Sequence, residues 1–193
     1  MPANKAELSA RLTAAHPGDN VLGLIFTSVF QLVEEQAGPA TLMKLRAGEY
    51  SKEYSELRMH PVQDFLHLLF HAAELLEGRI GTPETVFRMC GEKSITRYSS
   101  GPGRFLFKVL ARGDPHKLFS MAQIGYSTAV TYGKREYKPT SPKSGVLRVQ
   151  GDMIPPAFHE GLFIGSLKLL NIRGRAWARP QGIDRVEYDI TWN

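Results

Sequence analysis

Residues 146–192 read VLRVQGDMIPPAFHEGLFIGSLKLLNIRGRAWARPQGIDRVEYDITW, and this stretch decides the fold class. Val146–Gln150 is a short β-prone run. Pro155-Pro156 then opens a helix over Ala157–Leu170, since proline suits a first helical turn. Two strands are predicted after it, Ile172–Arg179 and Arg185–Trp192, joined by a turn at Pro180–Asp184. In the last, Val186, Tyr188, Ile190 and Trp192 alternate with Arg185, Glu187, Asp189 and Thr191, the period of a half-buried strand. Working outward, Tyr132–Lys138 reads as a further strand, separated from Val146 by the turn PTSPKSG. The stretch is a small antiparallel sheet of about four strands crossed by one helix.

Upstream the period changes to that of helices. Val21–Ala37 is stopped by Gly38-Pro39, with Asp19 or Asn20 placed to cap its start. His60-Pro61 opens the clearest helix, in which Val62, Phe65, Leu66, Leu69, Ala73 and Leu76 share one face, with Gly78 as its end. Thr82-Pro83-Glu84 starts another through Tyr98, interrupted by SSGPG, and helical stretches follow near Arg104–Ala111 and Pro115–Val130. Residues 1–19 are polar and end in the turn cluster HPGDN, which predicts a flexible N-terminal arm before a single α+β domain over 20–193. The expected architecture is therefore α+β, a helical N-terminal two-thirds packed on the small sheet.

The 193 residues, 42% hydrophobic and 22% charged, suit a globular chain and exclude disordered, collagen-like and disulfide-scaffold classes. One cysteine cannot pair within the chain, which points to a cytoplasmic protein. No apolar run is long enough for a membrane span, so none is expected. The net charge of +5 is uneven: residues 1–96 carry 9 basic and 12 acidic side chains, residues 97–193 carry 15 and 7. A basic half attracts nucleic acid or anionic ligands, although a solvated basic surface explains it equally simply.

Five features are candidates for function. His60, Asp64, His67 and His71 fall along one side of a helix, and His67 and His71 have metal-ligand spacing. Leu68 stands where a zinc protease needs glutamate, and a solvated face is the plainer reading. Arg173, Arg175, Trp177 and Arg179 share one strand face, able to hold phosphates and stack a base. Glu187 and Asp189 could instead answer the arginines across the ladder. Gly101-Pro102-Gly103-Arg104 lacks the P-loop pattern and reads as a helix break. Cys90 lies among Val86, Phe87 and Met89, the setting of a buried inert thiol, with a reactive thiol as the alternative. Gly161 and Gly165 are one turn apart, so with Phe158 and Leu162 they mark a helix face for close packing or for a pocket wall.

The segments HPVQDFLHLLFHAAELLEG, PETVFRMCGEKSITRY, GPGR, IPPAFHEGLFIGSLKLLNIRGRAWARP and VEYDITW, in this order, resemble an uncharacterised myxobacterial family of unknown function. That family implies no activity. Residues 131–193 are also similar to the superfamily of 4-vinyl-reductase-like, haem-nitric-oxide-binding and transport-particle (TRAPP) domains. This second resemblance implies a sensor or assembly domain in signalling, often homodimeric and sometimes with an apolar ligand cavity. Its haem branch carries Tyr-x-Ser-x-Arg before the helix, where this chain has Arg148-Val149-Gln150-Gly151-Asp152-Met153. No cofactor is therefore expected. The expected function is a non-enzymatic binding domain for an apolar small molecule or a protein partner. The alternatives are an anion or nucleic-acid surface on the arginine strand and a metal site at His67 and His71.

Overall fold

Four antiparallel strands form the main sheet in the order β3-β4-β6-β5: β3 (Lys134–Ser141), β4 (Ser144–Gln150), β6 (Arg185–Trp192) and β5 (Gly174–Pro180). They belong to a computed structural model that describes residues 5–48, 50–105, 107 and 111–193. One sheet face buries Leu147, Val149, Ala176, Val186, Tyr188, Ile190 and Trp192 against helix α8 (Pro156–Leu169) and Phe119. The other face carries the charged residues of the alternation, as expected for an antiparallel sheet covered on one side. The strand ladder runs three residues past the predicted end of β3, because Thr140, Ser141 and Ser144 tie a tight hairpin through their hydroxyls. Thus the fold is α+β with a helical N-terminal two-thirds, as read from the sequence.

The helical part centres on α4 (Val62–Ile80), packed by α2 (Gly23–Ala37) and α5 (Pro83–Ser100). Its predicted apolar face is fully buried, and Leu68, Phe70 and Ala72 on other sides are buried too, so α4 is a core helix rather than a surface one. It runs through Gly78 and stops at Gly81, whose φ of +112° is a conformation that L side chains rarely adopt. α3 (Pro39–Ala47) follows α2. A two-stranded ribbon of β1 (Asn20–Leu22) and β2 (Met59–Pro61), absent from the sequence expectation, aligns the starts of α2 and α4. Neither Asp19 nor Asn20 caps α2, because the ribbon places Leu22 at that position. The predicted helix over 115–130 is broken at Met121 into α6 (Pro115–Ser120) and α7 (Ala122–Ser127). The helix expected near 104–111 falls partly outside the described residues.

Residues expected to form a flexible arm include α1 (Lys5–Ala14), which packs on α4. Its Arg11 is 4% exposed and donates to the backbone carbonyls of Met153 and Ile183, with Glu7 at 2.6 Å. A guanidinium offers several donors, so one side chain can anchor a helix that has little hydrophobic face of its own. Its carbonyl partners are remote in sequence, and local reading cannot see them.

The helical part and the sheet part join along α5 and α8. Gly91 of α5 lies under the Phe158 carbonyl, and Gly161 of α8 lies under the Arg88 carbonyl; a Cβ at either would stand within 3 Å of backbone atoms. Gly165 faces Ile95 and Glu92 of α5. Small residues at these positions let two backbones touch, and Arg88 with Glu160 bridges the seam at 2.5 Å. No helix among the described residues is long and apolar enough to cross a membrane.

Candidate functional site

A cavity of about 100 Å³ lies where three hydrophobic clusters meet. Leu22 and Ile25 border it from β1 and α2, and Ser94, Ile95 and Tyr98 from α5. Leu118, Phe119, Ala122 and Tyr126 border it from α6 and α7. Phe158, His159, Leu162, Phe163 and Ser166 close it from α8. Gly103 packs beneath the Tyr98 ring, and the Tyr98 hydroxyl donates to the Gly125 carbonyl at 3.2 Å. The GPGR turn therefore breaks the helix and sets Tyr98 as a cavity wall. The lining is overwhelmingly apolar. Two polar atoms of the lining residues, the Ser94 hydroxyl and His159 Nε2, are buried without a hydrogen-bond partner among the described residues, a condition that ordinarily costs about 1–3 kcal/mol.

Behind the α8 wall sits a buried polar cluster. Arg135 and Asp152 form an ion pair with side chains at most 1% exposed. Arg135 also donates to the Tyr132 carbonyl, and its guanidinium lies 4.3 Å over the Tyr126 ring. Asp152 accepts from the Ile154 amide at 3.0 Å. His159 Nδ1 is 2.9 Å from the Tyr126 hydroxyl, and its Nε2 stands 3.4 Å from Asp152, with alignment short of a hydrogen bond. Burial alone would push the Asp152 carboxyl up. The facing His159, the Arg135 guanidinium and the Ile154 amide outweigh it and hold that carboxyl well below the usual range. Burial pushes the Tyr126 and Tyr132 hydroxyls well up, so both stay neutral. Gly133 and Gly151, both with positive φ, turn the chain beside this pair; a Cβ on Gly133 would meet the Arg135 guanidinium at 2.8 Å.

The candidates from the sequence are dispersed. Phe158 and Leu162 line the cavity, while Gly161 and Gly165 form the α5 contact. His67 is exposed, His71 is half-buried beside Tyr50, Asp64 pairs with Lys52 at 2.8 Å, and His60 is buried in β2 rather than on the stripe. Among the described residues, no three histidine, cysteine or acidic side chains gather as a metal site. Arg175, Trp177 and Arg179 lie on the solvent face of β5, and Arg173 just precedes it. Arg179 is held by Asp189 at 2.6 Å and Glu187 at 3.1 Å, the cross-strand pairing that competes with an anion site. Cys90 is fully buried, and desolvation pushes its thiol up. A thiol-directed alkylating reagent is expected to leave the folded protein unlabelled and to label it at once in denaturant; fast labelling of folded protein would mean that Cys90 is reachable.

Sequence reasoning missed Ser94, Tyr98, Tyr126, His159 and the Arg135–Asp152 pair. A trace existed for Arg135. It shares strand parity with Tyr137, so pairing with β4 turns a charge inward, and such a charge requires a buried partner.

Several known structures share this fold. An H-NOX protein from S. oneidensis in the Fe(II)NO ligation state is 14% identical with a TM-score of 0.70, covering 89% of this chain and 99% of its own. An Fe(II) unliganded H-NOX protein from K. algicida is 16% identical with a TM-score of 0.66, covering 89% and 96%. A structure described as modulating haem redox potential through protein-induced porphyrin distortion is 15% identical with a TM-score of 0.60, covering 89% and 94%. No curated protein matches. Residues 14–193 match the family described as "Protein of unknown function (DUF2378)".

Proposed function

The chain belongs to the DUF2378 family of proteins of unknown function, and from that premise we propose that it is a non-enzymatic cytoplasmic regulatory or assembly domain that binds a small apolar molecule. The observation carrying this reading is the apolar cavity at the α5–α8 seam, bordered by α6 and α7. The likeness to H-NOX folds supports it, because one of those proteins is described in an Fe(II)NO ligation state on the same architecture. A molecule in this cavity would touch α5 of the helical part and α8 of the sheet part at once. His159 extends that contact to Asp152 and Arg135, so occupancy and sheet packing would be coupled.

The residues present do not fit haem. A cavity of about 100 Å³ lies well below the roughly 300–1,000 Å³ of ordinary cofactor sites. Haem also needs an axial side chain. His159 is the histidine in the lining, and its nitrogens face Tyr126 and Asp152. The Tyr-x-Ser-x-Arg pattern occurs nowhere in the chain. Haemin added to the protein is expected to keep the absorption spectrum of free haemin; a shifted, sharpened Soret band would overturn this part of the reading.

The arginine-strand reading is weakened by the ties of Arg179 to Asp189 and Glu187. Native mass spectrometry of protein purified from its own host tests the proposal. A retained non-protein mass that disappears in Ala129→Phe, which fills the cavity from its α7 side, is the expected result. The same extra mass on the variant would place the ligand elsewhere. That spectrum also reports whether the chain is a homo-oligomer.

A further inference from the structure

We infer that Ser94 is the recognition group of the cavity and that its ligand is a small neutral molecule, a short alkyl body with a single hydroxyl or carbonyl. This rests on the cavity being a ligand site. Three serines are buried among the described residues, Ser28, Ser94 and Ser166, and all lie in helices. Ser28 donates to the Leu24 carbonyl at 2.8 Å and Ser166 to the Leu162 carbonyl at 2.7 Å, the usual way a helix satisfies a buried serine. On α5 itself Thr96 donates likewise to the Glu92 carbonyl at 2.9 Å. Ser94, 2% exposed on the cavity wall, makes no such bond and no other among the described residues. A hydroxyl left without a partner at the wall of an apolar cavity can donate one bond and accept others, which suits either a hydroxyl or a carbonyl on the ligand.

Charge is excluded by the same wall. Its other hydroxyls are engaged, Tyr98 with Gly125 and Thr128, Tyr126 with His159 and Ser166 with Leu162, and His159 Nε2, without a hydrogen bond of its own, faces the Asp152 carboxylate. A charged ligand would lose its water without gaining a counter-ion. The volume sets the body. A dry apolar cavity of about 150 Å³ takes benzene, so one of about 100 Å³ takes a body of about four or five non-hydrogen atoms.

Ile25, Ile95 and Ile154 line the cavity, so their methyl NMR signals report occupancy directly. The probes are butan-1-ol, n-pentane and butylammonium, titrated into wild type and Ser94→Ala. Butan-1-ol is expected to shift the three methyls and to bind about 3- to 10-fold more weakly to the variant, the worth of one net hydrogen bond. Pentane should bind the variant at least as well as wild type, and butylammonium should bind neither. The variant should melt no lower than wild type, since it loses only an unsatisfied hydroxyl. If butan-1-ol and pentane both shift the methyls but Ser94→Ala leaves butan-1-ol affinity unchanged, the cavity reading stands and the Ser94 assignment falls. Butylammonium binding as tightly as butan-1-ol would overturn the neutral class. If no probe moves the three methyls, the cavity reading itself falls.

Discussion

Replacing Asp152 with alanine is expected to remove about 3–5 kcal/mol of folding stability, because it strands the Arg135 charge in the interior. Both side chains are shut off from water, so the guanidinium cannot turn outward to solvent, and Gly133 and Gly151 hold the chain tightly around it. Denaturant unfolding of Asp152→Ala, Arg135→Met and the double variant measures the effect. The double variant should be more stable than the two single losses predict by addition, since it leaves neither charge alone. A loss below about 1 kcal/mol for Asp152→Ala would mean that water reaches the pair. The pair also gives a pH dependence with a definite sign. Its carboxyl is held well below the ordinary 3.8 in the folded state. The unfolded chain therefore binds the proton first, and this contribution is present above about pH 4 and lost as the pH falls below it. Asp152→Asn should flatten the stability curve in that acid range.

Gly161→Ala is expected to cost about 3 kcal/mol, at the upper end for overpacking. The new Cβ would stand 3.0 Å from the Arg88 Cα and closer still to its carbonyl, and backbone cannot rotate away as a side chain can. The gain in helix propensity from glycine to alanine, about 1 kcal/mol, acts in the opposite direction and is outweighed. Gly165→Ala makes the control on the same helix. Its nearest neighbour is the Ile95 side chain at 2.5 Å, which can change rotamer, although the Glu92 Cα at 3.3 Å is tight. That variant should lose about 1 kcal/mol or less. Equal losses at the two positions would contradict backbone contact at Gly161. Ser94 and His159 lie on facing sides of this seam. Parting the helices at Gly161 should therefore also disperse the methyl signals of Ile95 and Ile154.

Particular elements show how far local reading reaches. The alternation of Val186 to Trp192 placed β6 to the residue, because one sheet face is buried and a one-residue slip would expose every apolar side chain. The helix α8 and its spaced glycines were legible too, to within one residue at each end. The break of the 115–130 stretch at Met121 was not, since the residues around it have no breaker and the cavity margin is set by packing. His60 drops out of the His60 to His71 stripe because β2 pairs with β1 and draws it inside, while Asp64, His67 and His71 stay on α4.

From the sequence alone came the α+β class, the helices α4, α5 and α8 and the final strand, all matters of short-range periodicity and punctuation. The tertiary structure alone decided the site. Ser94 and His159 meet at one cavity, and Arg135 meets Asp152, only because α5 and α8 touch through glycines and β3 pairs with β4. Whether a serine hydroxyl is satisfied, or a charge is paired, depends on neighbours distant along the chain, and periodicity carries no record of them.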